Sequence, residues 1–215
     1  MPLENDSRPL FPRRPHRLAI LISGRGTNLQ SIIDAIAARR LDATIAVVIS
    51  NRSDAPGLAR ARAANIEAIC VDPRGFPDRD AFDRAIVDLL RPRQVGLVCL
   101  AGFMRRVGPP LLDAFPGAIL NIHPSLLPAF PGLDAQRQAL AHGVRISGAT
   151  VHLVTPDLDL GPIVTQAAVP VLADDTVETL SARILVEEHR IYPEAIRIVT
   201  NGRWRLEGRR FLVDP

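Results

Sequence analysis

Residues 17–50, RLAILISGRGTNLQSIIDAIAARRLDATIAVVIS, decide the fold. The apolar run Leu18 to Ile22 has strand length, and Ser23-Gly24-Arg25-Gly26 interrupts it. Apolar residues return at Leu29, Ile32, Ile33 and Ile36, the three-to-four spacing of one helix face. A second β-rich run, Thr44 to Ser50, follows. Strand, glycine turn, helix and strand make one βαβ unit, and its first turn sits at the carboxyl end of a strand, where open α/β sheets bind ligands.

The same alternation continues outward from this unit. Helical patterns span about Asn28 to Arg40, Ala55 to Ala64 and Arg79 to Leu90, between strand-like runs at Ile66 to Val71 and Val95 to Leu100. Further strands are expected near Ala118 to Ile122, Gly148 to Val154 and Ile163 to Val169, with a helix from about Gly132 to His142. A long helix, about Thr176 to Val199, follows Asp174 and Asp175, either of which could cap it. A hairpin is expected at the end, Trp204 to Leu206 and Arg209 to Val213 around Glu207-Gly208. The pattern predicts an α/β protein with a Rossmann-like open, largely parallel sheet and helices on both faces, in a single domain. Residues 1–16, with Pro2, Pro9, Pro12 and Pro15 and no apolar period, read as a flexible leader, and 17–215 as the domain.

Composition removes several function classes. A chain of 215 residues with 47% hydrophobic content suffices for one core. No apolar run approaches the roughly 20 residues that span a bilayer, and no signal pattern precedes the fold, so a soluble cytoplasmic protein without a membrane partner is expected. All 26 basic residues are arginine, which excludes both a Schiff-base lysine and a P-loop lysine. A net charge of +3 carried by scattered arginines, with only seven Phe, one Trp and one Tyr, points to anionic small molecules rather than nucleic acid. Cys70 and Cys99 lie in strand-like segments and are expected as buried free thiols in a reducing compartment. No His/Cys/Asp cluster has zinc spacing, and no metal is expected; His16, His142, His152 and His189 are read as structural.

The turn Ser23 to Gln30 suits a phosphate, because free N–H groups and the helix dipole face an anion there. A dinucleotide site would want a third glycine where Leu29 stands and an acid where Ser50 and Asn51 stand. The plainer alternative is a tight turn with Thr27 or Asn28 as helix cap.

The strongest local chemistry is Leu120-Asn121-Ile122-His123-Pro124-Ser125, where a strand ends in Asn121 and His123 on one side of the extended chain. An amide donor beside an imidazole suits a carbonyl oxygen becoming an oxyanion, as in acyl transfer to an amine. A carboxylate to orient the imidazole is offered by Asp157 or Asp159, and sequence distance does not choose between them. Ser125 is not in a nucleophile-elbow context, which favours direct transfer without an acyl-enzyme.

These segments, together with I-S-G-R-G-T-N-L-Q, S-N-R-S-D-A-P-G-L-A-R-A, L-A-G-F-M-R-R, G-A-T-V-H-L-V, L-D-L-G-P-I and E-H-R-I-Y-P, closely resemble the glycinamide ribonucleotide (phosphoribosylglycinamide) formyltransferase family over roughly residues 17–200. The resemblance implies formyl transfer from 10-formyltetrahydrofolate, as co-substrate, to the amine of glycinamide ribonucleotide in purine biosynthesis. It implies catalytic Asn121, His123 and Asp159, choosing between the two aspartates. It implies substrate phosphate and ribose at Gly26, Thr27, Asn28, Leu29 and Gln30, with Glu188 near the glycinamide end. It implies folate at Arg79, at the backbone of Met104, Arg105, Arg106 and Val107, and at Asn121. Departures from the family pattern are Leu185, where some relatives are polar, Ala129, often Lys, and Asp134-Ala135-Gln136, where His-Thr-His is common. A formyltetrahydrofolate hydrolase would carry an added N-terminal domain and a methionyl-tRNA formyltransferase an added C-terminal one, and the chain is expected to hold neither. A third alternative is a non-catalytic nucleotide- or folate-binding sensor. A monomer or homodimer is expected.

Overall fold

Residues 16–214 are described by a computed structural model. The expected leader therefore lies outside the described residues, apart from His16, which opens the first strand. The chain runs β1 (His16–Ile22), α1 (Thr27–Ala37), β2 (Ala43–Ser50), α2 (Pro56–Ala63), β3 (Ala68–Cys70), α3 (Arg79–Leu90) and β4 (Leu97–Leu100). It continues through α4 (Pro109–Ala114), β5 (Ile119–His123), α5 (Ala135–His142), β6 (Ile146–Leu153) and β7 (Ile163–Pro170). Helix α6 (Val177–Thr200) and the hairpin β8 (Trp204–Glu207) and β9 (Arg210–Val213) complete it.

One nine-stranded sheet has the order β3-β2-β1-β4-β5-β6-β7-β9-β8. The first five strands in that order are parallel, β6 and β7 are antiparallel additions, and β9 meets β7 in parallel through Ile163 and Arg210. Leu18 to Ile22 and all of β4 are buried, as central parallel strands covered on both faces must be. By packing, α1 joins α2 and α6, and α3 joins α4; right-handed crossovers put these groups on opposite faces. Strand order reverses between β1 and β4, so the loops after those strands and the end of β5 border one crevice. Tyr192 of α6, fully buried, ties that region together from below: its hydroxyl donates to the Leu100 carbonyl at 3.0 Å, with the Leu120 carbonyl at 3.3 Å.

Three sequence expectations need correction, and one helix was not expected. Cys70 is exposed, because β3 is an edge strand, whereas Cys99 in central β4 is buried. Neither Asp174 nor Asp175 caps α6: Thr176 does, in a reciprocal capping box with Thr179, while Asp175 pairs with Arg183 at 2.7 Å. The hairpin turns one residue later, at Gly208-Arg209, with Gly208 at φ 60°. Helix α4 was not anticipated; Pro109 and Pro110 fill its first positions, where a missing N–H costs nothing. No helix among the described residues is long and apolar enough to cross a membrane.

Candidate active site

The loop after β1 is shaped by two glycines that touch. Gly26 is the N-cap of α1 in the left-handed region, φ 70°, so neither Thr27 nor Asn28 caps the helix by side chain. A Cβ on Gly26 would stand 2.7 Å from Gly57 Cα, and one on Gly57 would collide with Ile22. The Gly57 N–H also donates to the Gly24 carbonyl at 3.1 Å, which seats α2 against the loop. The first helical bond of α1 is Gln30 N–H to Gly26 O, and the N–H groups of Thr27, Asn28 and Leu29 precede it without helical partners. Leu29 offers only that backbone group, since its side chain lies in the core.

Asn28 reaches across the sequence to α6. Its Nδ2 donates to Glu188 Oε2 at 2.7 Å, and its buried Oδ1 has no partner among the described residues. Burial pushes the Glu188 carboxyl above its usual range, opposed by the Asn28 bond and by the charge of Arg25. Beside this loop a cleft of about 380 Å³ is lined by Thr27, Gln30, Ser31, Asp34, Arg40, Arg60 and His189. Arg60 binds the loop carbonyl of Arg25 at 2.9 Å and approaches Gln30 Oε1 at 3.4 Å. Leu185 is half-buried on α6.

At the end of β5, two histidines and one carboxylate converge. Asp159 Oδ2 stands 3.5 Å from His123 Nδ1, and Asp159 Oδ1 stands 3.7 Å from His152 Nε2. Asp159 is buried and Asp157 is exposed, so the aspartate that reaches His123 is Asp159. Gly161 permits this approach: a Cβ there would run into the Leu153 carbonyl. Asp159 itself has φ 53°, a left-handed conformation that aspartate tolerates better than most residues.

Hydrogen-bond logic assigns the protons. His152 Nδ1 faces the Leu153 carbonyl at 3.0 Å, which can only accept, so Nδ1 carries hydrogen. Burial lowers the His152 pKa and keeps the ring neutral, leaving Nε2 to accept from Asn121 Nδ2 at 3.2 Å. That bond orients the Asn121 amide with its second N–H unspent. His123 Nε2 donates to the Phe130 carbonyl at 2.8 Å, and Gly132 N–H donates to Asp159 Oδ2 at 2.7 Å. Phe130 holds φ 54°, a strained value for an aromatic residue. Ser125 is fully buried and donates to the Ala129 carbonyl at 2.5 Å, and Thr150 donates to the Ser125 carbonyl at 2.7 Å. Its hydroxyl is committed to this turn, so it is no nucleophile. Leu127-Pro128 within the turn is cis.

The third border is the stretch after β4. Met104 N–H donates to Ser23 Oγ at 2.8 Å and is therefore already engaged, while Met104 as a residue is 65% exposed. Arg105 stacks its guanidinium 4.8 Å from the Phe82 ring centroid, and Arg79 opens α3 nearby.

The structure thus brings together Asn121, His123 and Asp159, and separately Asn28 and Glu188. It adds His152, which strand alternation alone marked as structural. The available signal was the pairing of β6 with β5, which sets His152 opposite Asn121, but antiparallel register is not readable from one strand. Gly57 was likewise missed as the partner of Gly26. No group of three or more His, Cys, Asp or Glu suited to a metal occurs among the described residues.

Comparison with known proteins agrees with this architecture. The formyl transferase family matches residues 16–196. The Escherichia coli phosphoribosylglycinamide formyltransferase is 43% identical over 88% of this chain and 89% of its own. The trifunctional purine biosynthetic protein adenosine-3 of Bos taurus is 46% identical over 88% of this chain, which spans only 19% of that longer protein. The crystal structure of glycinamide ribonucleotide transformylase 1 from Symbiobacterium toebii superposes with TM-score 0.92 at 59% identity, over 93% of this chain and 94% of that one. The chain belongs to the formyl transferase family and, within it, to the phosphoribosylglycinamide formyltransferases.

Proposed function

We propose that this chain transfers the formyl group of 10-formyltetrahydrofolate directly to the amine of glycinamide ribonucleotide, with Asn121, His123 and Asp159 as catalytic residues. The observation that carries the reading is the network of half-buried Asn121 with buried His152, Asp159 and His123 at the end of β5, beside a loop whose free N–H groups suit an anion. The amine lone pair attacks the formyl carbon, and the carbonyl electrons move onto oxygen. The free N–H of Asn121 and the His123 Nε2–H stabilise that oxyanion, which takes the place of the Phe130 carbonyl as acceptor. Collapse of the tetrahedral intermediate expels the folate nitrogen, and the proton lost by the amine ends on it, with Asp159 assisting the relay.

The substrate phosphate is assigned to the N–H groups of Thr27, Asn28 and Leu29 with Gly26 and Gln30 around them, and its glycinamide end to Glu188. The folate is assigned to Arg79 and the Arg105 to Val107 backbone, flanked by Met104, with Asn121 at the formyl group. Hydrolysis of the formyl-folate is the rival reaction. It has no use for a phosphate loop, nor for the Asn28–Glu188 pair joined from 160 residues apart.

The test follows folate deformylation in steady state with and without glycinamide ribonucleotide. Release of tetrahydrofolate that depends on the amine supports the transferase; equal release without the amine rejects it in favour of a hydrolase; no release leaves a binding protein.

A further inference from the structure

The stretch Met104 to Gly108 is held at both ends by side chains from other elements. At its start, the Ser23 hydroxyl accepts from Met104 N–H at 2.8 Å and donates to Asn51 Oδ1 at 2.5 Å. At its end, Asp83 of α3, only 2% exposed, accepts from Gly108 N–H at 2.5 Å. Between them Arg105 turns its side chain back onto Phe82, also of α3. Gly108 lies so close that an added Cβ would stand 2.9 Å from both Asp83 Oδ2 and Arg79 Nε, and 3.0 Å from Asp80 Oδ1. A buried carboxylate is expensive to keep, and the proposed chemistry makes no use of this one.

We infer that Asp83 is a positioning residue for the folate: it fixes the C-terminal end of the 104–108 stretch so that the intervening backbone meets the co-substrate in one conformation. The inference rests on the folate assignment above. A fixed backbone loses no conformational freedom on binding, so the clamp acts on folate affinity and leaves the chemical step and the ribonucleotide site alone. Ser23 supplies the opposite anchor but also belongs to the first loop, which makes Asp83 the cleaner probe.

The clamp is also sensitive to acid. Burial raises the Asp83 carboxyl above its ordinary 3.8, opposed by the Gly108 bond and by the charges of Arg79 and Arg105, and reinforced by Asp80. Protonation weakens the acceptor, so KM for the folate rises as pH falls through the Asp83 pKa.

Three proteins test this: wild type, Asp83→Ala and Asp83→Asn. Loss of a charge-assisted bond in Asp83→Ala raises KM for 10-formyltetrahydrofolate by about tenfold or more, with kcat and the ribonucleotide KM within about threefold. Asp83→Asn keeps only a neutral acceptor, as protonated Asp83 does; its folate KM at neutral pH lies between those of wild type and Asp83→Ala, near the level wild type reaches in acid, and shows no acid-side rise. An unchanged folate KM in Asp83→Ala overturns the inference, as does a parallel loss in both KM values, or an acid-side rise that persists in Asp83→Asn. If Asp83→Ala does not fold, the pH profiles of wild type and Asp83→Asn decide alone. Hydrogen exchange of residues 104–108 with 10-formyltetrahydrofolate alone separates the two levels. Protection in wild type with unaltered affinity in the variants rejects only the clamp, whereas no protection in wild type rejects the folate assignment and the clamp with it.

Discussion

Asn121 and Glu188 are both polar groups held in position by one partner, and the partner predicts what each substitution does. The Asn121 amide is turned by neutral His152 so that one N–H remains for a ligand. Asn121→Ala should lower kcat by about 100- to 1,000-fold, the usual loss for one oxyanion donor, with KM for the ribonucleotide nearly unchanged; a loss under about threefold in steady-state kinetics removes Asn121 from that role. Glu188 is a buried carboxylate whose folded pKa is raised above the ordinary 4.5. A raised carboxyl favours the native state fully below the unfolded value, and this contribution is lost as pH rises through the folded value. Glu188→Gln keeps an acceptor for Asn28 and removes the ionisation. It should therefore be more stable than wild type at pH 7 by about 1 kcal/mol, with the advantage gone near pH 4. Urea unfolding at the two pH values measures this, and a higher ribonucleotide KM in the variant is expected alongside.

At the level of elements, the first loop owes its shape to α2 as much as to α1. Gly57 donates to Gly24 and leaves no room for a Cβ against Ile22. Gly57→Ala should push α2 off the loop, costing about 1–3 kcal/mol in stability as overpacking does, and should raise the ribonucleotide KM more than the folate KM. Equal changes in both constants would show that the loop does not depend on this contact. Gly57 also shows where sequence reading stops. The βαβ rhythm, the loop after β1 and the Asn121/His123 pair were legible because period and turn chemistry are local. What was not legible came from pairings between distant elements: Gly57 against Gly26, His152 opposite Asn121, and Asp83 beneath Gly108. Cys70 was misjudged for the same reason, since an apolar run does not say whether its strand lies at the centre or at an edge.

For the molecule as a whole, the two cysteines report on different openings. Cys70 lies exposed on edge strand β3, whereas Cys99 lies buried in β4 with the sheet continuing on either side. Burial also raises the Cys99 thiol well above its ordinary range, so little reactive thiolate is present even apart from access. A disulfide reagent should therefore modify Cys70 quickly in the native protein. Cys99 should react only through an opening that separates β4 from the core, at the high end of the range of opening free energies. Because the proposed ligands bind across loops that follow β1, β4 and β5, they bind the closed sheet and not the opened one. Each ligand at 100 times its Kd should then slow Cys99 labelling by about 100-fold in the regime where closing outpaces modification, while Cys70 labelling is unaffected. Slowing of Cys70 as well would mean that its thiol is not free to react in the native state despite its exposed position, and no slowing of Cys99 would mean that its opening does not pass through the ligand-bearing loops at all.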